Sequence, residues 1–243
     1  MENIFPAEYR INIMKLADGK KVAEKSVEEV NLTSELEGKV NALHFKAEGT
    51  AKGVVLFLHG NGGNLQTYLK RRTDFLARGY DFVIFDYRSY GKSTGLMSEA
   101  GIDADAEAAW KYVDAQYPDQ PIVIFGQSLG SGIAVRLAAK HTPSRLFLEA
   151  PYTSLADVGA WRYPWLPVRL LTQYPGESFS HIDEVKCPVS VIHGTADDVI
   201  PYDMGKKLAE TASKGRLYTC PDVGHTGLAQ TKQYVQMLDE TLR

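Results

Sequence analysis

Six short runs, apolar at almost every position, recur along this chain of 243 residues: VVLFL (54–58), FVIF (82–85), IVIF (122–125), LFLEA (146–150), VSVI (189–192) and the weaker RLYTC (216–220). A strand with one buried face alternates apolar and polar side chains. A continuously apolar run instead suits a strand covered on both faces, as in parallel sheets. Between the runs lie stretches with apolar residues at helical spacing. In 64–78, Leu65, Tyr68, Leu69, Phe75 and Leu76 share a face, with Asn64 placed to cap the start and Gly79 to stop the end. Comparable stretches occupy 99–116, 129–141, 203–213 and 227–242. Strands alternating with helices require crossover connections, which predicts an α/β fold with an open, mostly parallel sheet and helices on both faces. Ligands of such sheets bind beyond the carboxyl ends of the strands.

Two segments depart from this alternation. INIMKLA (11–17), VEEVNL (27–32) and KVNALHFKA (39–47) are strand-like pieces divided by polar turns, and predict an N-terminal antiparallel meander. Residues 151–187 are rich in proline and aromatics and longer than an ordinary connection. They read as a small lid or cap inserted at the ligand end, or as a helix and proline-rich loop that cover the sheet. A chain of this length is expected to form one domain over 1–243.

Composition excludes several classes of function. The apolar share of 44% and charged share of 23% are those of an ordinary globular protein, and the net charge of -3 leaves no basic surplus for nucleic acid. No eighteen apolar residues run together, so stable membrane insertion is not expected. A cytoplasmic location is the expectation, although a removed signal or anchor would leave the same sequence. Cys187 and Cys220 each precede a proline and form neither a disulfide framework nor a CxxC pair. With no HExxH, no close His/Cys cluster and no GxGxxG, neither a metal nor an organic cofactor is implied. The only GKS, residues 91–93, has Asp86 where a phosphate-binding loop needs its first glycine.

The chemistry points to Gly126-Gln127-Ser128-Leu129-Gly130, a G-x-S-x-G that joins the run at 122–125 to the helix at 129–141. On so tight a strand-to-helix turn, a strained backbone pushes the serine hydroxyl out above the sheet, and the glycines relieve collisions between turn and helix. The helix start also places the amide of Leu129 beside the serine, ready to stabilise an oxyanion. A serine hydroxyl needs a base, normally a histidine oriented by a carboxylate, in the chain order serine, acid, histidine. Among the later histidines, His141 lies a whole helix away at about 1.5 Å per residue. His193 ends a strand too early for an acid to come between. His225, in a glycine-flanked turn after the last strand, is the expected base. HGTADDVIP (193–201) supplies the acid, with Asp197 preferred over Asp198 because the turn aims it back over the sheet. The loop His59-Gly60-Asn61-Gly62-Gly63-Asn64 suits close backbone approach, and its Asn61 amide, or that of Gly62, is the expected second oxyanion donor.

In order and spacing, HGNGGN (59–64), FDYRSYGKSTG (85–95), GQSLGSG (126–132), HGTADDVIP (193–201) and GHTG (224–227) resemble the α/β-hydrolases. The resemblance covers about residues 40–243 and is strongest to a small-lid, serine aminopeptidase-like branch that includes esterases, thioesterases and acyl-removing enzymes. It implies an α/β-hydrolase fold and a triad of Ser128, Asp197 and His225, the same residues reached from the chemistry. Ser89 stands where such relatives usually carry glycine. The expected activity is hydrolysis of a carboxylic ester or thioester of a short to medium acyl group, with Trp161, Tyr163, Trp165 and Leu166 as an apolar wall for the small-molecule substrate. Two alternatives are a serine aminopeptidase, which would need an acid such as Glu149 or Glu177 to hold the free amine, and a binding protein without turnover.

Overall fold

The computed structural model describes residues 27–172 and 176–242; the strand expected at 11–17 lies outside them. The described residues form two compact units, one within 27–123 and one within 124–242. In the first, β1 (Val27–Thr33) runs antiparallel to β2 (Lys39–Phe45), with Val30 opposite Ala42, and β2 runs antiparallel to β4 (Tyr80–Phe85), with Leu43 opposite Ile84. The expected antiparallel N-terminal pairing is therefore present. β4 is parallel to β3 (Gly53–Leu58), with Leu56 opposite Val83. Every residue of β3 and β4 is buried, as continuously apolar runs require.

The helix expected over 64–78 is broken into α1 (Leu65–Tyr68), a 3-10 turn over Leu69–Arg71 and α2 (Arg72–Leu76). A continuous α-helix would give the Leu69 carbonyl to the Thr73 amide. Here that carbonyl takes both the backbone amide and, at 2.6 Å, the guanidinium of Arg72, which is buried over the Phe45 ring. Both ends are as expected: Asn64 caps α1 through the Gln66 amide, and Gly79 stops α2 at φ +82°. Helix α3 (Glu99–Gln116) packs on β1, β2 and β3 and opens on Ser98, whose hydroxyl accepts the Gly101 amide. Its buried Asp105 receives Arg88 through two nitrogens, at 2.9 and 2.7 Å, and Arg88 also reaches Ser34 and the Leu36 carbonyl.

Two local features of this unit carry predictions. Ser89 sits at φ +66°, in the left-handed region, and its hydroxyl donates to the Gly95 carbonyl at 3.1 Å. A non-glycine residue there costs about 1–2 kcal/mol, partly offset by the extra freedom glycine has in the unfolded chain, about 0.5–1 kcal/mol. Ser89→Gly is therefore expected to raise the melting temperature by a degree or two at most, and a fall would show that the Gly95 bond outweighs the strain. The second feature is buried Asp81, which accepts from the Ala47 amide and Tyr117 and lies near His44 and Lys46. Burial alone would raise this carboxyl, but His44, Tyr117, the Ala47 amide and the Lys46 charge outweigh burial and hold it at about 2. Its folded value lies below its unfolded one, so the stability it contributes is complete above about pH 5 and fades as pH falls towards 2. Thermal melts between pH 5 and pH 2.5 are expected to decline less steeply for Asp81→Asn than for wild type.

The second unit begins within β5 (Ile122–Gln127) and continues through α4 (Leu129–Lys140), β6 (Arg145–Glu149), α5 (Leu155–Arg162), α6 (Val168–Leu171), β7 (Val189–Gly194), α7 (Tyr202–Thr211), β8 (Gly215–Cys220) and α8 (Lys232–Thr241). Strands β6, β7 and β8 are parallel, with Leu148 opposite Val191 and Ile192 opposite Tyr218. Helix α7 packs on β7 and β8, and α8 on the same two strands. Within 151–187 the chain forms α5, α6 and a 3-10 turn at Ile182–Glu184. Trp165, Leu170 and Leu171 there are 76%, 86% and 65% exposed, so these side chains do not cover the sheet.

Candidate active site

The turn between β5 and α4 holds Ser128 at φ +50°, ψ -117°, a conformation that L-residues adopt only under constraint. The constraint is visible. The Ser128 amide donates to the Glu149 carbonyl at the end of β6, and both the amide and the hydroxyl of Ser131 donate back to the Ser128 carbonyl, at 2.8 and 2.6 Å. A Cβ on Gly126 would lie 2.6 Å from that of Ala134 and 2.7 Å from the Gly130 carbonyl oxygen, so the strand can pass under α4 only as glycine. At Gly132 the missing side chain leaves room for Tyr152, whose hydroxyl donates to the Leu129 carbonyl. The result is a half-buried serine with its hydroxyl presented at the start of a helix.

Beyond the end of β7, Asp197 is 8% exposed while Asp198 is open to solvent. The loop that carries Asp197 is knitted to the loop that carries His225. Thr195 donates its amide to Cys220, Ala196 donates to Val223, and the Asp222 amide donates to the Thr195 hydroxyl. Gly194 makes this possible, since a Cβ there would sit 2.0 Å from the Val223 carbonyl oxygen. His225 then stands between the two other groups, with Nδ1 2.8 Å from Asp197 Oδ2 and Nε2 3.0 Å from Ser128 Oγ. An anionic carboxylate only accepts, so Nδ1 carries the proton and Nε2 turns its lone pair to the serine.

The Asp197 carboxylate is fully occupied. Oδ1 accepts the amides of Val199 and Ile200 at 2.9 and 2.8 Å, and Oδ2 accepts His193 Nε2 at 3.1 Å as well as His225. Burial pushes this carboxyl up, but the bonds from His193, His225 and the two amides outweigh burial and hold it far below the usual carboxylate range. His193, which chain order rules out as the base, is a partner of this carboxylate. Its Nε2 lies 3.1 Å from Asp197 and 3.0 Å from the Ile200 carbonyl, both acceptors, so Nε2 bears the proton. Its buried Nδ1 has no hydrogen-bond partner and faces Gly205, where a Cβ would come within 2.2 Å. The sequence signal for it was the spacing His-Gly-x-x-Asp at the end of a buried run.

The other expected residues fall as follows. Leu129 is the first residue of α4, so its amide is among those a helix leaves without an intrahelical acceptor. Asn61 lies in the loop after β3, where the Tyr90 hydroxyl donates to its side-chain oxygen at 2.6 Å and the Tyr68 hydroxyl to the Gly62 carbonyl at 3.1 Å. Burial, with smaller contributions from Tyr90 and Asp86, pushes Tyr68 up to about 12, so its hydroxyl remains a donor. Trp161, Tyr163, Trp165 and Leu166 stand exposed in and after α5. Of the acids an aminopeptidase would need, Glu149 is buried and accepts the Gln127 side chain at 3.1 Å.

A family model described as the alpha/beta hydrolase fold matches residues 53–169. The esterase Pf2001 of Pyrococcus furiosus superposes with a TM-score of 0.73 over 92% of this chain and 97% of that one, at 19% identity. This chain has the α/β-hydrolase fold. A thermostable carboxyl esterase from Bacillus coagulans has the same fold, with a TM-score of 0.72, 18% identity and coverage of 90% and 99%. In sequence, the chain is 40% identical over 182 residues to an uncharacterized protein of Mycobacterium tuberculosis, covering 73% of this chain and 64% of that one. It is 33% identical over 208 residues to the lysophosphatidylserine lipase ABHD12 of Xenopus tropicalis, covering 76% and 53%. The match therefore spans about half to two thirds of the length of these curated relatives.

Proposed function

We propose that the chain hydrolyses carboxylic esters or thioesters through an acyl-enzyme, with Ser128 as nucleophile, His225 as general base and Asp197 as the residue that orients His225. One observation carries this reading: the hydrogen-bonded path from Ser128 Oγ through His225 to Asp197, at 3.0 and 2.8 Å. As Ser128 Oγ bonds to the carbonyl carbon, its proton passes to His225 Nε2, and the imidazolium is held against the Asp197 carboxylate. The Leu129 amide, at the start of α4, is the proposed donor to the tetrahedral oxyanion. Collapse expels the alcohol or thiol with the proton from His225. Water, deprotonated by the same nitrogen, then attacks the acyl-serine and releases the acid.

An aryl or alkyl fluorophosphonate tests the nucleophile directly. Intact mass is expected to show one adduct per chain, and peptide mapping to place it on Ser128; an unlabelled chain or an adduct elsewhere overturns the assignment. For the acyl group, the reading is short to medium chains, and rates on a series of p-nitrophenyl esters are expected to fall as the chain lengthens. Rates that climb through long chains would favour a second reading, a monoacyl lipid ester, towards which the name of the lysophosphatidylserine lipase relatives leans.

A further inference from the structure

Residues 161–171 concentrate exposed apolar surface. Trp161, Tyr163, Trp165, Leu166, Leu170 and Leu171 are 37–86% exposed, whereas the other large exposed apolar residues described are the pair Leu96 and Met97 and the single residues Leu36, Val199 and Val235. A patch of this kind marks an interaction site rather than chance exposure. The segment is a built element. Val168 of α6 packs where a Cβ on Gly159 of α5 would lie 2.7 Å away, Arg169 pairs with Asp157 at 2.5 Å, and the rings of Tyr163 and Trp165 meet edge to face. Pro164 and Pro167 restrict the link between the helices.

Chemistry selects the occupant. The eleven residues contain two arginines and no acid, in a chain whose net charge is -3. Asp157, the acid nearest in sequence, pairs with Arg169 and offsets its charge, so Arg162 carries the net positive charge of the segment. Tryptophan and tyrosine favour the headgroup level of a bilayer, leucine the acyl boundary beneath it, and arginine the lipid phosphates. A second copy fits less well, because a two-fold contact sets the same surface against itself and would bring the arginines of both copies together. No helix among the described residues is long and apolar enough to cross a membrane. We propose that residues 161–171 are an interfacial anchor that seats the protein peripherally on an anionic lipid surface. The anchor follows β6, the strand whose final carbonyl holds the Ser128 amide, by a dozen residues.

The test is co-sedimentation with vesicles of phosphatidylcholine alone and of phosphatidylcholine with phosphatidylglycerol. Wild type is expected to bind the mixed vesicles about fivefold more tightly than the neutral ones, and less tightly as salt rises. The variant W165S/L170S/L171S replaces exposed side chains only, so it should melt as wild type does while losing roughly tenfold or more of the binding. L36S/V235S, which removes exposed apolar residues elsewhere, should bind normally. Ser128→Ala should also bind normally, which separates this proposal from the hydrolytic one. Equal binding to both vesicle types, no binding to either, or unchanged binding by the triple variant would overturn it. So would a wild-type dimer that the triple variant dissociates, since a second copy would then cover the face.

Discussion

Ser128→Ala is expected to lower kcat/KM for ester hydrolysis by about 10⁵-fold or more, because serine, histidine and acid act as a unit and the residual rate comes from binding and oxyanion stabilisation alone. The same change should leave the fold intact. Among the described residues the Ser128 hydroxyl bonds only to His225, whereas the bonds that pin the turn run through the Ser128 backbone, which alanine retains. Ala150 already occupies φ +46°, so alanine can sit at such an angle. Parallel melts and rates separate the two effects: a large loss of rate at an unchanged melting temperature is the expected pair. Ser128→Gly adds a control, since glycine adopts positive φ without the strain of about 1–3 kcal/mol that another residue bears there. It should be as inactive as the alanine variant and more stable. Activity within about tenfold of wild type in a clean preparation of Ser128→Ala would sink the proposed mechanism.

The strands were legible because burial on both faces leaves a plain trace: every residue from Gly53 to Leu58 and from Tyr80 to Phe85 is buried, and the sequence there is nearly all apolar. Helix ends marked by local chemistry were legible too, as with Asn64 and Gly79. The break inside 64–78 was not. It depends on Arg72 turning inward to the Leu69 carbonyl over Phe45, a contact with a residue far away in sequence. The interior of 151–187 was obscure for a related reason. Its apolar residues suggested cover for the sheet, but patterning does not distinguish a residue that packs inward from one left exposed for a partner.

At the candidate site, the positions of Ser128 and His225 followed from a strained turn and from chain order. The choice of Asp197 over Asp198 rested on the expected course of the turn, and the structure buries the first and exposes the second. The bond from His193 to Asp197 leaves little trace in the sequence. A histidine that ends one strand and bonds an aspartate four residues on has no helical periodicity to reveal it, and the contact exists only because the loop between them folds back.

Asp197→Asn is expected to lower kcat/KM by about 10⁴-fold, and the reason lies in the four bonds that the carboxylate accepts. An asparagine has one oxygen. If that oxygen faces Val199 and Ile200, its NH2 group confronts two histidine N–H donors, and His225 is driven to the tautomer with its proton on Nε2. That nitrogen then points a proton at Ser128 and can no longer accept one. If instead the oxygen faces the histidines, the NH2 group confronts two backbone amides, and the loop that fixes His225 must open. Either orientation disables the base, so labelling of Ser128 by a fluorophosphonate should slow together with turnover. His193→Phe is the informative comparison. It keeps the carboxylate and the His225 tautomer and removes one of two donors on Oδ2, so the expected loss is only about tenfold, within the range for a single orienting bond. His193→Gln, which can still donate to Oδ2, should lose less. Acid melts report on Asp197 itself. Its folded value lies below its unfolded one, so wild type loses this contribution as pH falls below about 5, while Asp197→Asn, already without it, should decline less. A loss of rate below about tenfold in Asp197→Asn would mean that packing alone holds His225 in its active tautomer, and the serine would then be activated without its carboxylate.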